Sequence, residues 1–226
     1  MDLNSDKNVK MAWLVTAIVI LIIILDQALK IWVKTHFYLG EDHPITSWFH
    51  LKFIQNNGMA FGMEIISKWI LTIGRIISVI LFIWWLKIIL RLQTIRSGFY
   101  KALALIIAGA AGNVFDCIFY GEIFNNPPPP AIASIFPKDG GYGSWFQGQV
   151  VDMLYFPFFT IYWPDWIPVI GGTNFEFFQY IFNVADASIC VGVFLIIFFY
   201  AKDATAAMNF IFKKEDKGDE APSEEN

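Results

Sequence analysis

Charge is scarce in this chain. Asp, Glu, Lys and Arg make up 16% of its 226 residues, against about a quarter in an ordinary soluble domain. So little charge excludes a fully water-facing surface. With 56% hydrophobic residues and a mean hydropathy of +0.51, the sequence takes lipid as its solvent. Cysteine is nearly absent: Cys117 and Cys190 form neither a disulfide framework nor a zinc site, and both read as small buried hydrophobes. The three histidines, His36, His43 and His50, lie seven residues apart in or beside one loop, a spacing that fits no metal site. No metal and no cofactor is expected. There is no basic stripe, and an isoelectric point near 5.3 argues against a nucleic-acid partner. The net charge of -4 says little, because much of the acid sits in the last dozen residues.

What is present is long apolar runs. A span needs about 20 mostly apolar residues to cross roughly 30 Å of hydrocarbon. Four stretches meet this, at about residues 11–33, 69–90, 99–121 and 177–201. The first follows Lys7 and Lys10 as a signal peptide would. It continues through Asp26 and Lys30 with no small-residue cleavage site, so it reads as a retained helix. Ten of the sixteen basic residues lie in the N-terminus (Lys7, Lys10), the link between spans two and three (Lys87, Arg91, Arg96, Lys101) and the C-terminal region (Lys202, Lys213, Lys214, Lys217). The third connection, about 122–176, has only Lys138. Both termini and the middle link are therefore expected in the cytoplasm, with the first and third connections outside. Residues 1–201 read as one four-helix transmembrane domain, and 202–226 as a largely disordered cytoplasmic tail. The expected fold is an all-α membrane protein with a small β element and an aromatic-rich segment on its outer face. WFHLKFIQ in the first outward loop alternates like a strand, and FPFFTIYWPDWIPVIGG in the third is aromatic enough for the interfacial belt.

Each span carries an ionisable residue, and such residues are costly enough to be functional candidates. At 1.5 Å per residue, Asp26 and Asp116 lie about 22 and 25 Å along outward-running helices, and Arg75 and Asp186 about 9 and 13 Å into inward-running ones. The four converge on one layer near the outer face. Gly109, Gly112, Asn113 and Asp116 share a helix face at i, i+3, i+4 and i+7, where glycines admit a neighbouring backbone. Asn183 and Asp186 repeat an i, i+3 pairing on the fourth span. Asp26 and Lys30 are spaced for an ion pair, with Lys30 able to snorkel outward. No serine or cysteine has a histidine at a spacing for nucleophilic catalysis, which leaves carboxylate chemistry. Two carboxyls sharing a site cannot both ionise easily, so one keeps its proton while the other takes a proton from water. Asp116, Asp152 and Asp186 are all candidates for that pair on this reasoning.

Five motifs then occur in order: DQALK at 26–30, NNGMAFG at 56–62, GAAGNVFD at 109–116, VVDM at 150–153 and FNVADASICVG at 182–192. The set resembles the lipoprotein signal peptidase (signal peptidase II) family, from the first helix to the last. The resemblance implies a four-helix aspartyl peptidase of the bacterial cytoplasmic (inner) membrane, with its active site near the outer face. The resemblance implies that such an enzyme cleaves the signal peptide of prolipoproteins just before a diacylglyceryl-modified cysteine. It also implies Asp152 and Asp186 as the catalytic dyad, with Asn113, Asp116 and Asn183 orienting the dyad and substrate. Asn57 and Gly58 match a first-loop element that cradles substrate, and Asp26 and Lys30 a structural first-helix motif. The expected partners are the lipid-modified substrate and membrane lipid, and the expected state is a monomer. Two departures stand out. Cys117 occupies the position where the family usually has arginine, with Arg75 a candidate substitute or an acid's partner. Two segments, about 122–149 and 157–173, look like insertions. The competing readings are a small transporter or proton relay, and a non-catalytic lipid-binding scaffold. The apolar inner halves of the spans, such as Leu14–Leu25, speak against a through-path, and the retained aspartates speak against a scaffold.

Overall fold

Apolar runs this long have their backbone hydrogen bonds satisfied within helices, and the computed structural model forms them accordingly; it describes residues 3–56, 68–92 and 94–216. Helix α1 runs Leu3–His36, α2 Lys68–Ile89 and α3 Ser97–Ile123, each within a few residues of its expectation except where α1 starts eight residues earlier. α3 lies between α1, α2 and α4, and two-thirds of its most apolar window is buried, against 6% for α1 and 11% for α2. Its Ala- and Gly-rich face makes this possible. A Cβ on Gly109 would run into the Ala185 carbonyl, and one on Gly112 would stand 2.8 Å from the Asp26 carboxylate. The outer helices instead expose Ile20, Leu21 and Ile24 on α1 and Ile77, Ile80 and Leu81 on α2, a surface suited to lipid.

The fourth helix departs from expectation. α4 is Val184–Phe199, so the stretch 177–183 is not helical. It holds the end of strand β5 (Asn174–Phe177) and the short β6 (Ile181–Phe182). Aromatic residues that raise hydropathy are equally at home in strands, and Asn183 begins the helix as its cap. The i, i+3 spacing of Asn183 and Asp186 is thus a capping box: the Asn183 side chain accepts from the Asp186 N–H, and the Asp186 side chain accepts from the Asn183 N–H. Asp186 lies in the first turn of α4 rather than well inside a span. At 16 residues α4 is about 24 Å long. It is followed by α5 (Ala201–Asp216), bent 90° from it. Arg96 holds the bend, donating from its backbone and guanidinium to Asp203 and from Nη2 to the Phe199 carbonyl. The segment expected to be a disordered tail therefore begins as a helix. Among the described residues three helices can cross a membrane by length and composition, and the α4–α5 pair makes a fourth if taken as one span. Cys190 is exposed on α4, against the expectation of burial, whereas Cys117 is buried.

At the end where α1 and α3 finish and α2 and α4 begin sits a four-stranded antiparallel sheet, ordered β1-β2-β3-β6. Here β1 is Asp42–Pro44, β2 His50–Asn56 and β3 Val150–Tyr155. The strand expected from WFHLKFIQ is β2, which starts two residues later and ends one residue later. β4 (Phe159–Tyr162) pairs with β5 as a separate ribbon that takes up most of the second insertion. Lys34, fully buried near the end of α1, faces the rings of Phe53, Phe124 and Tyr142 at 5.6, 5.3 and 5.2 Å. The cation thereby joins α1 to the sheet, the end of α3 and the first insertion.

Candidate active site

The site is built around one buried lysine. Lys30, one turn after Asp26 on α1, does not snorkel outward; it is fully buried with Nζ 2.8 Å from Asp26 and 2.7 Å from Asp116. Its third donor goes to Asn113 Oδ1 at 2.8 Å. Gln27 adds bonds to Asp116 (2.7 Å) and Asp26 (3.2 Å) while accepting from the Tyr120 hydroxyl. Asp26 also accepts from the Ala185 N–H at 2.9 Å, which ties α1 to the first turn of α4. A buried cation with two carboxylates and an amide leaves few of its polar atoms unpaired, the condition for tolerating charge in low dielectric.

From this hub a chain of amides leads to two further carboxyls. Asn113 accepts from Lys30 and donates from Nδ2 to Asp186 at 2.7 Å. Asn183 donates from Nδ2 to Asp152 at 2.6 Å, with longer contacts to Asn113 Oδ1 and the Val151 carbonyl. Its backbone N–H reaches Asp186 at 3.3 Å. One residue thus contacts both acids, Asp152 through its amide and Asp186 through its main chain. Asp152 comes from β3, where it pairs across with Ile54 of β2, and Asn56 adds a long 3.4 Å contact to its other oxygen. Burial, reinforced by the nearby Asp186 carboxylate, pushes the Asp152 carboxyl up to about 7. Asp186 borders a cavity of about 510 Å³ with Asn113, Arg75 and Ser78 beside the apolar Ile70, Leu71 and Ile189.

The sequence-derived residues fall into groups. Asn113, Asn183, Asp152 and Asp186 are brought together. Asp116 is one step removed: it meets Lys30, Gln27 and, at 3.4 Å, the N–H of Val151 beside Asp152. Arg75 donates to the sulfur of Cys117 at 3.2 Å, which puts a guanidinium beside the cysteine that departs from the motif. Asn57 and Gly58 lie outside the described residues. Gln27 and Asn56 are the additions that sequence reasoning passed over. Gln27, Lys30 and Lys34, at i, i+3 and i+7, mark one polar face of α1, and that periodicity was the available signal. Among the described residues no group of three metal-ligating side chains stands together.

Comparison with known proteins identifies the family. The family model for signal peptidase (SPase) II matches residues 18–202. The lipoprotein signal peptidase of Porphyromonas gingivalis is 42% identical over 195 residues, which cover 86% of each chain. That of Amoebophilus asiaticus is 36% identical over 194 residues, covering 83% of this chain and 78% of the other. Two bacterial membrane enzymes solved by the in meso method, at 2.3 and 1.9 Å resolution, superpose with TM-scores of 0.53 and 0.52. They are 20% and 22% identical and cover 94% and 81% of this chain and 94% and 89% of their own, so that likeness is one of fold. The match over most of the chain settles the affiliation: this protein belongs to the signal peptidase II family, the lipoprotein signal peptidases.

Proposed function

We propose that this protein is an aspartyl endopeptidase of the bacterial inner membrane that removes the signal peptide of prolipoproteins just before the diacylglyceryl-modified cysteine, with Asp152 and Asp186 as its dyad. The observation that carries this reading is Asn183, which holds one carboxyl by its side chain and the other by its main chain. In this scheme Asp152 keeps a proton near neutral pH, as its burial favours. Asp186 has donors from Asn113 and the Asn183 main chain and a place in the first turn of α4, where the helix dipole suits negative charge.

Asp186 takes a proton from water, and the hydroxide oxygen bonds to the scissile carbonyl carbon. Asp152 gives its proton to the carbonyl oxygen. Collapse of the tetrahedral species breaks the C–N bond, with the proton on Asp186 passing to the leaving amine and that of the hydroxyl returning to Asp152. Atoms and charge balance, and both acids recover their starting states. The cavity beside Asp186, apolar with Arg75, Ser78 and Asn113 at hand, suits a peptide entering from the lipid phase. Both termini face the cytoplasm, the dyad lies at the outer face, and the enzyme acts as a monomer on substrates that remain in the bilayer.

The test is cleavage of a lipid-modified prolipoprotein by purified Asp152→Asn and Asp186→Asn. Both are expected to fold, as judged by helical content and elution in detergent, and to lose cleavage by at least about a thousandfold, the order for losing a member of a catalytic unit. Cleavage at the normal rate by either variant would end the dyad assignment.

A further inference from the structure

The chain between the two candidate dyad residues does not take a short path. After β3 it runs out through the β4–β5 ribbon and returns through β6 to Asn183. Apolar and aromatic side chains cover the outside of this excursion: Phe159, Tyr162, Phe175 and Tyr180 are each at least 45% exposed, Trp166 is 80% exposed and Val169 fully so. The two carboxylates of the ribbon are already taken, Asp165 by the Tyr162 hydroxyl and Glu176 by the Tyr155 hydroxyl. Exposed apolar side chains gathered on one excursion mark a membrane or partner surface.

The positions of other tryptophans indicate what covers it. Exposed Trp13 and Trp32 on α1 are nineteen residues apart, about 28 Å along a helix, close to the roughly 30 Å thickness of a hydrocarbon core. Trp32 near the end of α1 and Trp69 at the start of α2 therefore mark one membrane–water interface, where tryptophan and tyrosine concentrate. The ribbon is attached at that same end. Phe156 stacks on Phe158 and Phe182 and on Phe49 of the β1–β2 connection, which fixes the base of the ribbon at the level of the sheet. Tyrosine and tryptophan rims with internally paired carboxylates match a headgroup layer better than a protein partner, which would need groups to read.

We infer that the β4–β5 ribbon is a membrane-seated paddle, its exposed aromatic face resting in the interfacial layer of the outer leaflet and setting the depth of the Asp152–Asp186 pair relative to that layer. This rests on the outward orientation proposed above, but not on the dyad chemistry. The occupant is the bilayer surface itself, not a second copy of the chain.

The experiment uses the full chain carrying Cys190→Ser, with a nitroxide on Val169→Cys or, as an aqueous reference, on Asp139→Cys in the other insertion. Each is reconstituted at one copy per nanodisc of phosphatidylcholine and phosphatidylglycerol. Power saturation is expected to show the Val169 label relaxed more by oxygen than by a water-soluble nickel chelate, with the reverse at Asp139. A nickel-dominated Val169 label would overturn the paddle. Oxygen dominance that appears only in discs holding two copies would overturn it as well, in favour of a chain–chain interface. Cleavage of lipid-modified substrate by the same labelled protein is read alongside: an active enzyme with an aqueous ribbon defeats the paddle alone, whereas a lipid-seated ribbon on an enzyme unaffected by Asp152→Asn defeats the dyad alone.

Discussion

Two lysines one turn apart on the same face of α1 are equally buried, yet the structure gives replacement by methionine opposite consequences. Lys30 has three partners, Asp26, Asp116 and Asn113, all within 2.8 Å. Lys30→Met keeps most of the side chain's length but leaves two carboxylates facing each other without a cation. Removing one member of a buried ion pair costs about 3–5 kcal/mol, and here two acids lose their counter-ion. The expected loss is at the upper end of that range, blunted where an acid takes up a proton instead. Lys34 Nζ has no hydrogen-bond partner among the described residues; it lies against the faces of three rings, and the Asp116 carboxylate attracts it only from a distance. Its cation–π contacts are worth up to about 2 kcal/mol, against a desolvation penalty of several kcal/mol for a buried ammonium. Lys34→Met is expected to leave stability unchanged or to raise it. Both variants would be unfolded by SDS in mixed micelles and compared with the parent. A triple variant, Lys30→Met with Asp26→Asn and Asp116→Asn, is expected to recover most of the loss, because the amides keep their neutral partners and neither acid is left as a buried charge without its counter-ion. If the two lysine variants are destabilised equally, or if the triple variant is worse than Lys30→Met, the attribution of stability to the ion triad is wrong.

Other consequences are open to direct measurement. With the Asp152 carboxyl held up to about 7, and with the proposed scheme using it as an acid, cleavage is expected to fall as pH rises through about 7; a rate that still climbs at pH 9 would refute this. The same raised value, against 3.8 for a free aspartate, means that the folded protein holds a proton the unfolded chain has lost. This contribution to stability is full below about pH 4 and disappears as pH rises through about 7, and Asp152→Asn should remove that component from the stability–pH curve. Gly109→Ala drives a methyl group into the Ala185 carbonyl and is expected to cost about 1–3 kcal/mol by overpacking, whereas Gly74→Ala, with nothing within 4 Å, should be neutral or slightly stabilising. Arg75→Gln, which removes the cation from the cavity beside Asp186, is expected to raise KM more than it lowers kcat; a change confined to kcat would place the guanidinium at the reacting atoms instead.

How much of this was legible in the sequence depends on whether the signal was periodic or positional. Long apolar runs located the first three helices, and the seven-residue reach from Gly109 to Asp116 identified the face of α3 that meets α1 and α4. The Asp26–Lys30 spacing announced an ion pair, although not that Lys30 would turn inward to a second acid on another helix; that depends on how α1 rotates against α3, which local spacing does not encode. The start of α4 was misplaced because hydropathy scores the phenylalanines of 175–182 alike in helix and strand. The cap at Asn183 was a local signal, but inside an apparent span it read as a second polar pair. Asp152 was the hardest to see. It stands on a strand brought to the bundle by sheet pairing, so no count of residues along a helix reaches it, and only its VVD motif singled it out. The helix after Tyr200 was hidden by its mixture of charged and apolar residues, which resembles a solvated tail until Arg96 is seen to fasten it.

The capping box at Asn183 has a consequence for how the protein comes into being. The asparagine that starts α4 is also the residue that grips both acids, and the lysine that neutralises α1 and α3 supplies its neighbour Asn113. A chain still threading into the bilayer, with α4 not yet docked, therefore has two acids in separate places and nothing between them. On the proposed dyad, proteolytic competence arrives only when α4 docks, and a newly made copy is expected to stay inert until then.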